Sequence, residues 1–282
     1  MLHRLPNTSD SYPSLGSRYV LDPEQIERFR ADGHIYLPGV ASREEVEFFR
    51  GPIQATADKH GQVDALPLEQ RDTYGKAFLQ HMNLWTADPA VAAFTLGKRF
   101  ARVAAELMGC DGVRIYHDQA LFKEPGGGLT PWHQDQHYWP VDTDKTVTMW
   151  MPLVDLTDDM GILTFATRSH EKGYLGTLPI SEESEEAFTT YIADNGLAVS
   201  RLKSIAAGDA TFHSGWTLHS APPNKSDRLR EVMTIIWVAD GCHVTEPVNV
   251  NQEHDIKCWM PGLKPGDLVD TELNPVAYKA QP

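Results

Sequence analysis

A chain of 282 residues, 41% hydrophobic and 23% charged, can bury a full core and suits one large globular domain or a compact domain with a helical annex. A formal charge of −14 without any Lys/Arg cluster argues against a nucleic-acid partner, because such a surface repels phosphate backbones. Three scattered cysteines, Cys110, Cys242 and Cys258, make neither a disulfide framework nor a CxxC metal knuckle, and are expected as buried thiols in a reducing, cytoplasmic compartment.

Residues 1–20 are polar and turn-rich and are expected as an irregular arm, with neither signal peptide nor membrane anchor. Nowhere does an apolar run approach the roughly 20 residues that span a bilayer. The segment DPEQIERFRAD places Asp22 as N-cap and Pro23 at the first helical position, with Ile26 and Phe29 on one face, and Gly33 stops it. HIYLPGV then predicts a strand running into a turn, and the Ser-x-x-Glu of SREEVEFF is a capping box that opens a second helix. From Asp88 to Met108 an Asp-Pro start precedes a long 3.6-period apolar pattern, predicting one further helix.

After Val113 the texture changes. VRIYHDQALF, TVTMWMPLV, ILTFAT, TLHSA and EVMTIIWVA are short β-branched or aromatic runs separated by Gly, Pro and Asp turns. Without regular crossover helices between them, they predict a double-sheet jelly roll rather than a βαβ fold. SEESEEAFTTYIADNG, near 181–196, is expected as a helical insertion acting as a solvated lid.

Within PWHQDQHYWP, His133 and Asp135 are two apart, so on an extended chain both side chains point to one side and can share a metal. With 12 His in the chain, about one His-x-Asp pair arises by chance, so context has to decide. That context is GDATFHSGWTLHSAPPNKSDRLREVMTIIW. It predicts a strand ending at His219 and a hairpin return that sets Arg230 opposite His219, on one face. Two imidazoles and one carboxylate form a three-ligand face with open coordination positions, the pattern of non-haem Fe(II) oxygenases, and a forked Arg suits the far carboxylate of a 2-oxo acid.

These residues resemble the phytanoyl-CoA dioxygenase family of 2-oxoglutarate oxygenases. The likeness runs through ADGHIYLPGV, HDQALFKEPGGG, the His-x-Asp before HYWP, MWMPLVDLTDDMGILTFATRSH and an Arg eleven residues beyond the distal His. It implies a mainly β fold with flanking helices, a double-stranded β-helix of cupin-like jelly-roll type. It implies one oxygenase domain over 1–282, largely helical over 1–110, with the jelly-roll core over 111–282. The metal would be Fe(II) on His133, Asp135 and His219, with 2-oxoglutarate and O2 as co-substrates. Arg230 would hold 2-oxoglutarate beside Trp150, while Gln119, Lys123 and Thr164 fall in segments that line the family's pocket. Ala221 departs from the Ser that some members carry two residues after the distal His, and Ser220 is the neighbouring substitute.

The expected reaction oxidises a small molecule, by default through hydroxylation, with 2-oxoglutarate decarboxylated to succinate. Asp135 argues against halogenation, which needs the position a small residue would free, whereas desaturation and ring closure stay open. His137, Tyr138 and Trp139 are substrate contacts or a packed aromatic loop. His213, His117 and His81 are expected as hydrogen-bonded structural residues, and Trp216 and Trp237 as core. A monomer or weak homodimer without membrane contact is expected. Two alternatives remain: a non-catalytic metal- or ligand-binding jelly roll, and a cupin-like metalloenzyme that does not use 2-oxoglutarate.

Overall fold

In a computed structural model, which describes residues 12–60, 66–176 and 178–280, the helices gather before residue 110 and the strands after it. Residues 1–11 of the expected irregular arm lie outside the described residues. Caps act where the sequence places them. Asp22 and Gln25 close a capping box on the helix Pro23–Asp32. Ser42 and Glu45 do the same for Arg43–His60, through N–H to oxygen contacts of 2.8 and 3.2 Å. The helix expected over Asp88–Met108 is two helices, Pro89–Thr95 and Lys98–Met108. They part at Gly97, where a Cβ would stand 2.9 Å from the Phe94 carbonyl and 3.1 Å from Leu15, so the chain turns there and brings Leu15 against the break.

Two antiparallel sheets form the jelly roll. The larger runs in the order His34–Leu37, Ala210–Ser214, Thr146–Pro152, Arg230–Ala239, Gly112–Lys123 and Val276–Lys279, with Leu79–Met82 also paired to Gly112–Lys123. The smaller runs Thr130–His133, His219–Ala221, Thr164–Ala166 and Val199–Arg201. Alternation divides each strand of the larger sheet. Val147, Met149 and Met151, with Met233, Ile235 and Trp237, face the helices and join Phe49, Phe94, Phe100 and Leu107 in the main core. Thr148, Trp150, Arg230, Thr234 and Ile236 point the other way, into the space between the sheets.

The expected hairpin does not exist. His219–Ala221 pairs with Thr130–His133 and Thr164–Ala166, whereas Arg230–Ala239 pairs with Gly112–Lys123 and Thr146–Pro152, in the other sheet. Arg230 therefore stands opposite Lys123, not His219. The intervening segment crosses between layers and is anchored by buried Asn224, whose amide donates to the carbonyls of Lys123 and Arg228 at 3.0 and 2.7 Å.

The insertion is a helix, Glu182–Asp194, but not a free lid. Phe188 and Ile192 pack on Trp132, Ala166 and Leu218, and Glu185 accepts the Trp132 N–H at 2.9 Å, so the helix backs the smaller sheet. Trp237 is core as expected, but Trp216 is half-buried and donates its indole N–H to Asp144 at 2.8 Å. All three cysteines are free thiols, and Cys242 alone is fully buried. No described helix is long and apolar enough to cross a membrane.

Candidate metal centre and its cavity

His133 closes its strand directly across the ladder from His219, which brings the two rings to 4.1 Å between centroids. Asp135 does not share that strand, contrary to the spacing argument. It opens the short turn Asp135–Tyr138, and the turn carries its carboxylate back to the imidazoles. Oδ1 lies 3.6 Å from Nε2 of His133 and 3.6 Å from Nε2 of His219. One ligand atom from each of the three residues falls within 4.8 Å of the others.

Each group is held in the form a divalent metal needs. Nδ1 of His133 bonds the Pro131 carbonyl at 2.7 Å and Nδ1 of His219 the Thr217 carbonyl at 3.0 Å. Because a carbonyl only accepts, Nδ1 carries the proton in both rings and Nε2 is left with its lone pair. Burial pushes the His133 imidazole down to about 3 and that of His219 to about 4, so both are neutral at physiological pH. Burial works to raise the Asp135 carboxyl, but the surrounding imidazoles outweigh it and hold the group below its ordinary range. Its Oδ2 is occupied by the Thr148 hydroxyl at 2.8 Å and His213 Nε2 at 3.1 Å, which leaves Oδ1 facing the imidazoles. His213 thus makes the hydrogen bond expected of it and stands outside the three-residue cluster. A borderline, oxygen- and nitrogen-seeking cation such as Fe(II) fits this donor set.

The three groups sit in the wall of a cavity of about 480 Å³ between the sheets. Arg230, 1% exposed, lines the same cavity from the larger sheet. Its Nη1 donates to the Gly161 carbonyl at 2.8 Å, its guanidinium lies 5.6 Å from the Trp150 ring centre, and its buried Nε has no partner. Gly161 is needed there: its φ is +77°, and a Cβ would meet the Pro222 carbonyl at 2.5 Å. Burial lowers the guanidinium to about 9, which still leaves it charged at neutral pH.

Of the other residues singled out in the sequence, Gln119, Trp150, Tyr138, Trp139, His117 and Ala221 line the cavity; Thr164, His137 and Ser220 do not, and Leu163 faces it beside Thr164. Lys123 lies behind the wall, its ammonium donating to Gly128 O, Thr130 Oγ1 and Pro222 O at 2.7, 3.2 and 3.0 Å. His117 is fully buried and pushed down to about 3, and His81 packs edge-on against Phe122. Sequence reasoning missed Thr148, although it stands two before Trp150 on the same face. It also missed one whole wall: the helix Val250–Trp259, which brings Asn251, His254, Asp255 and Trp259 to the cavity. Asn249 caps that helix through the Gln252 N–H, a signal legible in VNQEH.

The solved structure of the non-haem alpha-ketoglutarate-dependent carbocyclase SnoK from nogalamycin biosynthesis superposes with a TM-score of 0.76, at 23% identity, covering 93% of this chain and 99% of that one. The methylphosphonate hydroxylase of Gimesia maris is 22% identical over 231 residues, 78% of this chain and 81% of that protein. The "Probable alpha-ketoglutarate-dependent hypophosphite dioxygenase" of Stutzerimonas stutzeri is 26% identical over 132 residues, and the match spans under half of either chain, 46% of each. Residues 16–232 match the family described as phytanoyl-CoA dioxygenase (PhyH). With most of its length matched and a jelly roll of the same kind, the chain belongs to the phytanoyl-CoA dioxygenase family of non-haem iron, 2-oxoglutarate-dependent oxygenases.

Proposed function

We propose that this chain, as one oxygenase domain, oxidises a small molecule with Fe(II) on His133, Asp135 and His219 and with 2-oxoglutarate and O2 as co-substrates. One observation carries the assignment. The two neutral Nε2 atoms and Asp135 Oδ1 converge on a cavity whose opposite sheet supplies a fully buried guanidinium with an unsatisfied N–H. Leaving a buried guanidinium without an anion is costly, and a dicarboxylic keto acid supplies that anion while its other end reaches the metal.

The iron, when bound, supplies the redox chemistry that couples decarboxylation of the keto acid to oxidation of substrate. The protein's own groups do the positioning. Arg230, steadied by Gly161, receives the far carboxylate, and Trp150 closes one side of that subsite. His213 and Thr148 fix Asp135. Gln119 lines the cavity in a polar chain with Gln80 and His117, at 3.0 and 3.5 Å. Leu163, next to the expected Thr164, lines the cavity beside the smaller sheet. Hydroxylation is the assigned outcome, and the free cysteines and acidic surface fit a cytoplasmic monomer or weak homodimer.

The test adds 2-oxoglutarate to the Fe(II) protein under nitrogen. A weak visible charge-transfer band is expected, because keto-acid chelation places the oxo group on the metal, and simple carboxylates should not give it. Admitting air should then release succinate. An iron-loaded protein that shows no band would favour the cupin-like alternative.

A further inference from the structure

Beyond the metal ligands the cavity is walled by Tyr74, Tyr138 and the helix Val250–Trp259, from which Asp255 and Trp259 face inward. Asp255 is 7% exposed. It accepts the Tyr116 hydroxyl at 2.8 Å and a hydrogen bond from Trp259, both neutral donors. Among the described residues lining the cavity, Arg230 is the only Arg or Lys, while Asp72 adds a second carboxylate at the rim. A buried carboxylate that meets only neutral donors lacks its counter-charge, and supplying one is worth far more there than at a surface. In keeping with this, burial pushes the Asp255 carboxyl up to about 7.

We propose that the substrate end of this cavity takes a small molecule bearing a protonated amine, with Asp255 as its counter-ion and the Trp259 and Tyr138 rings as its walls. The assignment rests on the proposed function in one respect: Arg230 is given to 2-oxoglutarate and is not free for substrate. Aromatic faces add to the preference, since their negative quadrupole attracts an ammonium, most strongly in a desolvated site. An oxyanion at the same place would face Asp255 and Asp72 with no Arg or Lys other than Arg230 among the described lining residues to receive it. Unlike the metal ligands, Asp255 comes from a helix that begins after residue 232, where the family match stops.

The experiment compares four probes by calorimetry on the Fe(II)·2-oxoglutarate protein under nitrogen: 3-phenylpropylamine, 3-phenylpropan-1-ol, 3-phenylpropanoate and methylphosphonate. The amine is expected to bind about tenfold or more tightly than the alcohol, and both anions more weakly than the alcohol. Asp255→Asn should erase the advantage of amine over alcohol. The proposal is overturned if either anion matches the amine, if no probe binds, or if a folded Asp255→Asn protein keeps the amine preference. Should that variant not fold, the order of the four probes on the unmutated protein decides alone. The 2-oxoglutarate band, recorded on the same samples, reports separately: its absence beside an intact amine preference would count against the co-substrate assignment and not against Asp255.

Discussion

Nε2 of His213 lies 3.1 Å from Oδ2 of Asp135, and with the Thr148 hydroxyl it occupies the carboxylate oxygen that faces away from the two imidazoles. The aspartate is thereby presented to a metal through Oδ1 alone. Replacing His213 by Leu removes one of the two constraints on rotation of that carboxylate, and the expected cost is a 10- to 100-fold loss of Fe(II) affinity, roughly, as for other groups that orient a ligand. His213→Gln, which keeps an N–H donor, should recover part of it. Anaerobic Fe(II) calorimetry on both variants checks this, and equal affinity in wild type and His213→Leu would remove the positioning role.

His133→Ala and His219→Ala should each lose measurable Fe(II) binding while the apo fold persists. Both residues sit on strands held by ladder pairing and by the Trp132 and Phe165 packing around them, so truncation removes a ligand without removing a strand. Circular dichroism for the fold and calorimetry for iron read the two effects separately. Retained iron affinity in either variant would take that residue out of the ligand set.

Arg230 and Arg228 separate by burial. Arg230 is 1% exposed, while Arg228 is solvent-exposed and reaches only the Met160 sulfur, at 3.1 Å. Leaving a buried carboxylate without its bidentate partner costs roughly 3 to 5 kcal/mol, so Arg230→Ala should weaken 2-oxoglutarate binding by about two to three decades. Arg230→Lys should also be poor, because an ammonium lacks the planar fork. Arg228→Ala should shift binding less than about fivefold. Titrating each variant against succinate formation discriminates them, and a damaging Arg228→Ala would move the co-substrate site by two residues.

Acid should destabilise the protein partly through His117. Burial lowers this imidazole to about 3, so the folded state keeps it neutral while the unfolded chain takes up a proton near its ordinary value of about 6.5. The unfolded state binds more protons in that window. Stability from this residue is therefore intact above about pH 6.5 and falls as pH drops toward 3, by about 1.5 kcal/mol between pH 6.5 and 5. In His117→Asn that portion of the acid sensitivity should be missing from urea unfolding measured at the two pH values. An unchanged pH slope would show that His117 is protonated in the folded state.

Local rules read well from the sequence because their causes are local. Asp22 and Ser42 cap helices through neighbours three residues away, and TVTMWMP alternates because a strand has two faces. The donor set His133, Asp135 and His219 was legible from residue type and family texture. Its geometry was not, since Asp135 arrives from a turn. Arg230 does line the cavity, but by a route other than the expected pairing: a hairpin is the simplest partner rule for two adjacent strands, but a jelly roll sends consecutive strands to opposite sheets, and nothing near residues 222–229 announces the crossing. The placement of the wall from Val250 to Trp259 was hidden for the same reason: its cap is legible, but only the folded chain brings a helix beyond the last long strand back over the cavity.

That late helix also bears on inheritance. His133 and His219 hang on short strands of one sheet, Asp135 on the turn that follows and Arg230 on the other sheet, all within the matched residues 16–232, whereas Asp255 and Trp259 come after residue 232. On the proposed assignments, the metal ligands and the amine's counter-ion are thus encoded in separable stretches of the gene. Point changes or exchange of that single helix would then redraw the counter-ion while leaving the metal ligands untouched.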